Sequence, residues 1–253
     1  MERQIRAFVN CALKAREAGY DGVEIMGSEG YFINQFLSAY TNHRTDEWGG
    51  DYSSRMRLPV EIVARTREAV GRDFIIIYRL SMIDLIPGGS SWDEIVTLGK
   101  AVAQGGASII NTGIGWHEAR VPTIATSVPR AAFAWVTQKM KTEFAASGIT
   151  TPLVTSNRIN TPEVAERVLA DGCADMVSMA RPLLETTLRE KGLQTSLDAG
   201  MIIGYLTGAL RGLGRWWLEA GQPYPPAEMA RWFVETVRTG LNSLNPPQLE
   251  TKE

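Results

Sequence analysis

Cysteine is scarce in this chain: two in 253 residues, Cys11 and Cys173, on unrelated segments. Without a C-x-x-C spacing there is no disulfide framework, no thiolate pair for zinc and no ligand set for an iron–sulfur cluster. The expectation is a cytoplasmic, metal-free protein. An excess of charge of either sign is also missing, since 26 Lys and Arg against 28 Asp and Glu leave a formal net charge of −2 and a pI near 5.9. With no basic surplus to neutralise phosphates, nucleic acid is excluded as the main partner. Long apolar runs are absent as well. Arg3, Arg6, Lys14, Arg16 and Glu17 interrupt the start of the chain, so no secretory h-region forms, and no later stretch reaches the length of a membrane span.

What the chain does have is an alternation. Short runs rich in Val and Ile at residues 22–26, 74–79, 107–112, 152–156 and 174–179 read as buried strands. Segments at 55–70, 92–104, 132–144 and 162–170 carry apolar residues at helical spacing and read as amphipathic helices. Strand, helix, strand in succession implies right-handed parallel crossovers, which build either a barrel or an open doubly wound sheet. The loops choose between them. Polar residues follow the carboxyl end of each strand, at 28–31, 79–81, 113–117, 157–160 and 180–181. Barrel enzymes assemble their sites from several strand ends on one face. An open dinucleotide-binding sheet would place a G-x-G-x-x-G turn after its first strand, and none is present. After about residue 184 the strands give way to helical patterns at 195–220 and 226–241, where Pro225 and Pro226 suit a helix start. Trp216, Trp217 and Trp232 on these helices read as packing residues. The expected fold class is α/β: a partial (β/α)8 barrel of about five parallel strands over residues 1–188, with an α-helical appendage at 189–253.

The residues at the strand ends carry a family resemblance. GYDGVEIMGSEGY at 19–31, and TNHRTDEWGG at 41–50 with Arg55, resemble the middle of barrels of the old yellow enzyme family. FIIIYRLS at 74–81, INTGIGWHEAR at 110–120 and SMARP at 178–182 narrow the resemblance to its NADPH-dependent 2,4-dienoyl-CoA reductase branch. The resemblance covers residues 5–184 and implies an FMN-dependent flavoprotein that reduces an enoyl thioester or another activated alkene. Tyr31 and His117 stand where that branch keeps the pair that donates the proton. Reduction of a conjugated double bond needs hydride from reduced flavin at one carbon and a proton at another, and imidazole can assist a phenol as the acid. Read without the family, Tyr31 caps a helix at 32–39 and His117 is a loop hydrogen-bonder. Arg79 closes an apolar strand, where a charge in a barrel core needs a partner. The resemblance puts it at the pyrimidine edge of the flavin; a strand-end salt bridge is the other reading. Arg158, Ile159 and Asn160, with Ala180 and Arg181, resemble the family's FMN phosphate site, and His117 and Arg120 would border the thioester end of a substrate. Asn42, Arg44, Asp46, Gly49, Gly50 and Arg55 read as an ordered loop entering a helix, with His43 solvated.

The chain departs from the family in what accompanies these motifs. A full barrel has eight strands in about 250 residues, and the family's first three have no counterpart among the strands read here. Neither the four-cysteine iron–sulfur segment nor the nucleotide-binding module of the relatives is visible, so NADPH would be an indirect reductant and no iron–sulfur cluster is expected. Residues 202–231 resemble instead the last helices of tetracycline-repressor-type regulators, which implies a homo-oligomer, a dimer through these helices. Because no DNA-reading helix-turn-helix precedes them, repression does not follow. A second functional class therefore stays open beside the reductase: a non-catalytic helical dimerisation or ligand-binding protein that carries a barrel remnant.

Overall fold

The computed structural model describes residues 1–179 and 199–243. Two compact units, Met1–Met179 and Ala180–Glu253, divide the chain. In the first, α1 (Glu2–Glu17) leads through β1 (Gly22–Gly27), α2 (Phe32–Leu37), α3 (Tyr52–Arg55) and α4 (Arg57–Val70) to β2 (Ile75–Ile83). There follow α5 (Trp92–Gln104), β3 (Ile109–Ile114), α6 (Ala134–Ala146), β4 (Leu153–Thr155), α7 (Pro162–Ala170) and β5 (Met176–Val177). The strands form one parallel sheet in the order β1-β2-β3-β4-β5. The alternation expected from the sequence is present, and α1 adds to it.

The central part of the sheet shows how sequence sets the two faces. Ile76, Tyr78, Leu80 and Met82 of β2 are fully buried, whereas Ile77 and Arg79 between them are only partly so. Successive side chains of a strand point to opposite faces, so one face takes the apolar core and the other carries polar groups. Leu58, Ile62 and Val63 of α4 and Leu98 and Val102 of α5 join the core face, with Ile110, Met140 and Phe144. Each such side chain stabilises the fold by roughly 1.5–3 kcal/mol on burial. At Gly99 a Cβ would stand 3.2 Å from Leu80 Cδ2, so α5 lies close against the sheet there.

Local chemistry fixes the helix ends. Ser91 and Glu94 form a capping box at α5, Thr161 caps α7 ahead of Pro162, and Gly71 closes α4 at φ 80°. The boundaries differ from expectation where tertiary pairing intervenes. Strand β2 continues past Arg79 to Ile83 because β3 runs beside it to the Ile83↔Ile114 pair, after a register shift between Ser81 and Ile83. Helix α2 stops at Leu37 because Ser38 turns to extended backbone.

The second unit contains α8 (Ala199–Glu219) and α9 (Pro226–Ser243). Trp217 Nε1 donates to the Tyr224 carbonyl at 2.8 Å, and Tyr224 packs edge-on against Trp232 with ring centroids 4.8 Å apart. Trp216 and Trp232 are 49% and 39% exposed. Among the described residues no helix is long and apolar enough to cross a membrane.

Candidate functional site

Two strand ends converge on the first feature. After β1 the chain turns sharply through Glu29 (φ 64°) and Gly30 (φ 79°), with Tyr31 N donating to the Ser28 carbonyl at 3.2 Å. Tyr31 is the N-cap of α2, yet its side chain makes no capping bond. Its hydroxyl instead lies 2.7 Å from His117 Nε2, and the two rings meet edge-on at 5.1 Å. His117 arrives from the end of β3, through Gly115 (φ 75°) and Trp116, and its backbone N–H reaches the Glu29 carbonyl at 3.4 Å. Residues 86 positions apart in sequence are thus joined by adjoining loops. Both side chains are open to water.

Glu29 is the functional neighbour that sequence reasoning missed. One of its carboxylate oxygens lies 4.0 Å from His117 Nε2 and the other 3.5 Å from Arg79 Nη1, so it links the phenol–imidazole pair to the cation on the sheet. Its place two residues before Tyr31 was the only available signal, and nothing in residue type separates it from an ordinary loop acid.

Arg79 lies on the polar face of β2. Its Nε and Nη2 each sit 3.2 Å from an oxygen of Glu24, and Asn111 Nδ2 donates to the same Glu24 carboxylate at 2.7 Å. The charge is therefore paired, as a partly buried strand cation must be. Among the described residues Asn111 Oδ1 is buried without a hydrogen-bond partner, and the same holds of Thr155 Oγ1 and Asn160 Oδ1 around the end of β4. An orphaned buried acceptor costs about 1–3 kcal/mol, so Asn111 Oδ1, on the same face of the sheet as Arg79, marks a place where a donor is wanted.

The remaining candidates are placed unevenly. Asn157 and Arg158 adopt consecutive left-handed conformations at φ 66° and 60°. The Arg158 guanidinium is turned away to the carbonyls of Val128 at 2.9 Å and Thr126 at 3.3 Å. Ile159 is buried among Ala134, Val164, Ala165 and Val168, so it can face a ligand only through its backbone. Arg120 is exposed in the loop beyond His117. Ala180 and Arg181 lie outside the described residues. Among the described residues no group of three or more His, Cys, Asp and Glu could hold a metal ion. The 41–55 cluster is an ordered loop: Asn42 Nδ2 donates to the Phe36 and Trp48 carbonyls, and Arg55 pairs with Glu94 at 2.9 Å. The Arg44 guanidinium raises no question of function, since it pairs with Asp46 and holds that carboxyl below its usual range.

Residues 1–192 match the family model described as NADH:flavin oxidoreductase / NADH oxidase family. A curated relative, the metal reductase of Desulforamulus reducens, is 43% identical over 180 residues, 71% of this chain and 26% of that protein. A solved complex of 2-naphthoyl-CoA reductase with 2-naphthoyl-CoA superposes with a TM-score of 0.69 at 33% identity, covering 75% of this chain and 28% of that one. An old yellow enzyme homologue from Zymomonas mobilis superposes with a TM-score of 0.57 at 27% identity, over 72% of this chain and 48% of that one. The chain thus spans a quarter to a half of the length of these proteins. The five parallel strands with their helices are the partial barrel that the sequence implied. The family match ends before α8.

Proposed function

Because this chain belongs to the NADH:flavin oxidoreductase / NADH oxidase family, we propose that it is part of an FMN-dependent ene reductase of the 2,4-dienoyl-CoA reductase kind, in which Tyr31, assisted by His117, delivers the proton. The observation that carries this reading is the 2.7 Å contact between Tyr31 Oη and His117 Nε2, brought together from the ends of β1 and β3. Side chains of opposite loops meet there with neither spent on capping. A phenol is a weak acid at neutral pH. An imidazole N–H donating to its oxygen stabilises the phenolate left behind, and a Glu29 carboxylate oxygen lies 4.0 Å from the same ring nitrogen.

FMN fits the residues present. Arg79 offers a fixed cation, and Asn111 Oδ1 an unused acceptor for a ring N–H. On the phosphate side the candidates are the backbone of Arg158, Ile159 and Asn160, together with Ala180 and Arg181. When bound, FMN supplies the hydride, having been reduced at the expense of NAD(P)H. The chain's own part is to orient the alkene beside Tyr31, hold its proton at Oη, and present Arg120 near the thioester end. An enoyl thioester or similarly activated alkene is the substrate class, and a cytoplasmic setting goes with it.

The test is a fluorescence titration of FMN into the full chain. Saturable quenching is expected. Its absence, or selective binding of NADP alone, would remove the reductase reading in favour of a helical binding or dimerisation protein, for which the exposed Tyr205, Leu210, Trp216 and Leu218 of α8 are the favouring observation.

A further inference from the structure

The loops that bring Tyr31 and His117 together are not held by the pair itself. Gly30 precedes Tyr31 and Trp116 precedes His117, and these two predecessors touch. A Cβ on Gly30 would fall 2.8 Å from Trp116 Cε3, so only glycine lets the indole lie against the backbone there. Behind the indole sits Asp84, buried just past the end of β2. Its Oδ1 accepts from Trp116 Nε1 at 2.9 Å, from Ser81 Oγ at 2.6 Å and from Asn34 Nδ2 at 3.3 Å, and its Oδ2 accepts from Ser90 N at 2.7 Å. Asn34 in turn accepts from Gly30 N at 2.9 Å through Oδ1. The Asp84 carbonyl also accepts from Trp116 N at 3.0 Å. One carboxylate therefore holds the residue before His117 directly and the residue before Tyr31 through Asn34.

Among the described residues no ion pair involves Asp84. A buried carboxylate that bonds only neutral donors is costly to keep unless every donor is in place. Losing one acceptor oxygen would release the indole, and the indole carries His117.

We propose that Asp84 is a positioning residue that sets the approach of the Tyr31 hydroxyl to His117 by holding Trp116 and, through Asn34, Gly30. The proposal rests on reading Tyr31 and His117 as the proton-delivering pair. It touches neither ring and belongs to no part of the flavin side.

The chain has two histidines, His43 and His117, so its imidazoles can be followed one by one in long-range proton–nitrogen spectra of the full chain labelled at histidine. Three variants are compared with the unaltered protein: Tyr31→Phe, Asp84→Asn, and Trp116→Phe, which keeps a ring against Gly30 and removes only the indole N–H. Tyr31→Phe is expected to move the His117 signals toward those of a free imidazole. Asp84→Asn and Trp116→Phe are expected to move them in the same direction, with His43 unchanged and unfolding still cooperative. Movement with Tyr31→Phe but not with Asp84→Asn overturns the positioning role and leaves the proton-donor pair standing. If Asp84→Asn does not fold, Trp116→Phe decides in the same way. Both histidines moving together would make Asp84 a general structural acid and overturn the proposal. No movement with Tyr31→Phe would show that the pair is not formed, and both readings would fall.

Discussion

Tyr31→Phe removes one oxygen and keeps the ring, so its effects can be separated from packing. Among the described residues the hydroxyl has one protein partner, His117 Nε2 at 2.7 Å; Tyr31 is 44% exposed and the His117 side chain 63%. Water can take the vacated place on the imidazole, and the loss of folding stability should stay below about 1 kcal/mol. FMN affinity should not change, because no cation or orphaned acceptor of the flavin side is altered. Turnover should change strongly. A positioned general acid contributes about 10²- to 10⁴-fold, and water has access here to substitute as donor, which puts the loss near the lower limit. A loss of about 10²-fold corresponds to about 2.7 kcal/mol in the barrier. The assay is anaerobic reoxidation of chemically reduced FMN on the full chain by a 2,4-dienoyl thioester, with the FMN fluorescence titration run in parallel. Unchanged reoxidation with unchanged FMN affinity would refute the assignment and pass the proton to His117 or to water.

Arg79→Ala should weaken FMN binding by about 10- to 100-fold, the worth of a charge-assisted hydrogen bond at about 1.5–3 kcal/mol, since it also leaves Glu24 and Glu29 without their arginine partner; equal titration curves would show that the cation serves only the strand-end ion pair. Burial pushes the Asp175 carboxyl up, but Lys141 Nζ at 2.7 Å and Leu153 N at 2.9 Å more than offset this and hold it below its usual range. A depressed folded value stabilises above the unfolded value of about 3.9 and ceases to do so as pH falls through the folded one. Asp175→Asn should therefore be less stable in urea at neutral pH and approach the unaltered protein as the medium is acidified, and a gap that widened in acid would contradict the pairing. By light scattering the full chain should be a dimer, and a chain ending at Leu184 should aggregate, because the exposed aromatic residues of α8 and α9 and the sheet's two edges both seek cover; a monodisperse monomer of the full chain would exclude this.

Much of the fold was legible because its signals are local. The apolar run around Ile76 and Tyr78 and the helical spacing at 92–104 and 162–170 all lie within the elements they specify. Helix α1 was not, since Arg3, Arg6, Lys14 and Arg16 crowd its exposed side and leave Ile5 and Ala12 as its buried residues. In the site, Tyr31 and His117 could be named from the motifs around them. Glu29 and Asp84 could not, because their importance comes from partners about 30 to 90 positions away and sequence does not distinguish a carboxylate with distant partners from a solvated one. Arg79 shows the same limit, since both its expected roles demanded a partner and only the fold shows Glu24 and Glu29 to be that partner.

The uneven pairing of the sheet has a consequence for how the molecule opens. Strands β1 and β2 pair from Gly22↔Ile75 to Gly27↔Leu80, and β2 and β3 from Ile77↔Ile109 to Ile83↔Ile114. Among the described residues strands β4 and β5 pair at Val154↔Met176 and Thr155↔Val177. Amide exchange should be slowest at β2 and quicken toward β5, a gradient of local opening along the sheet. The Tyr31–His117 pair hangs from the slow end and the loop at Asn157–Asn160 from the fast one. A ligand gripping that loop would thus be bound by tightening the part of the sheet that opens most readily, while the phenol–imidazole contact stays in place on the part that opens last.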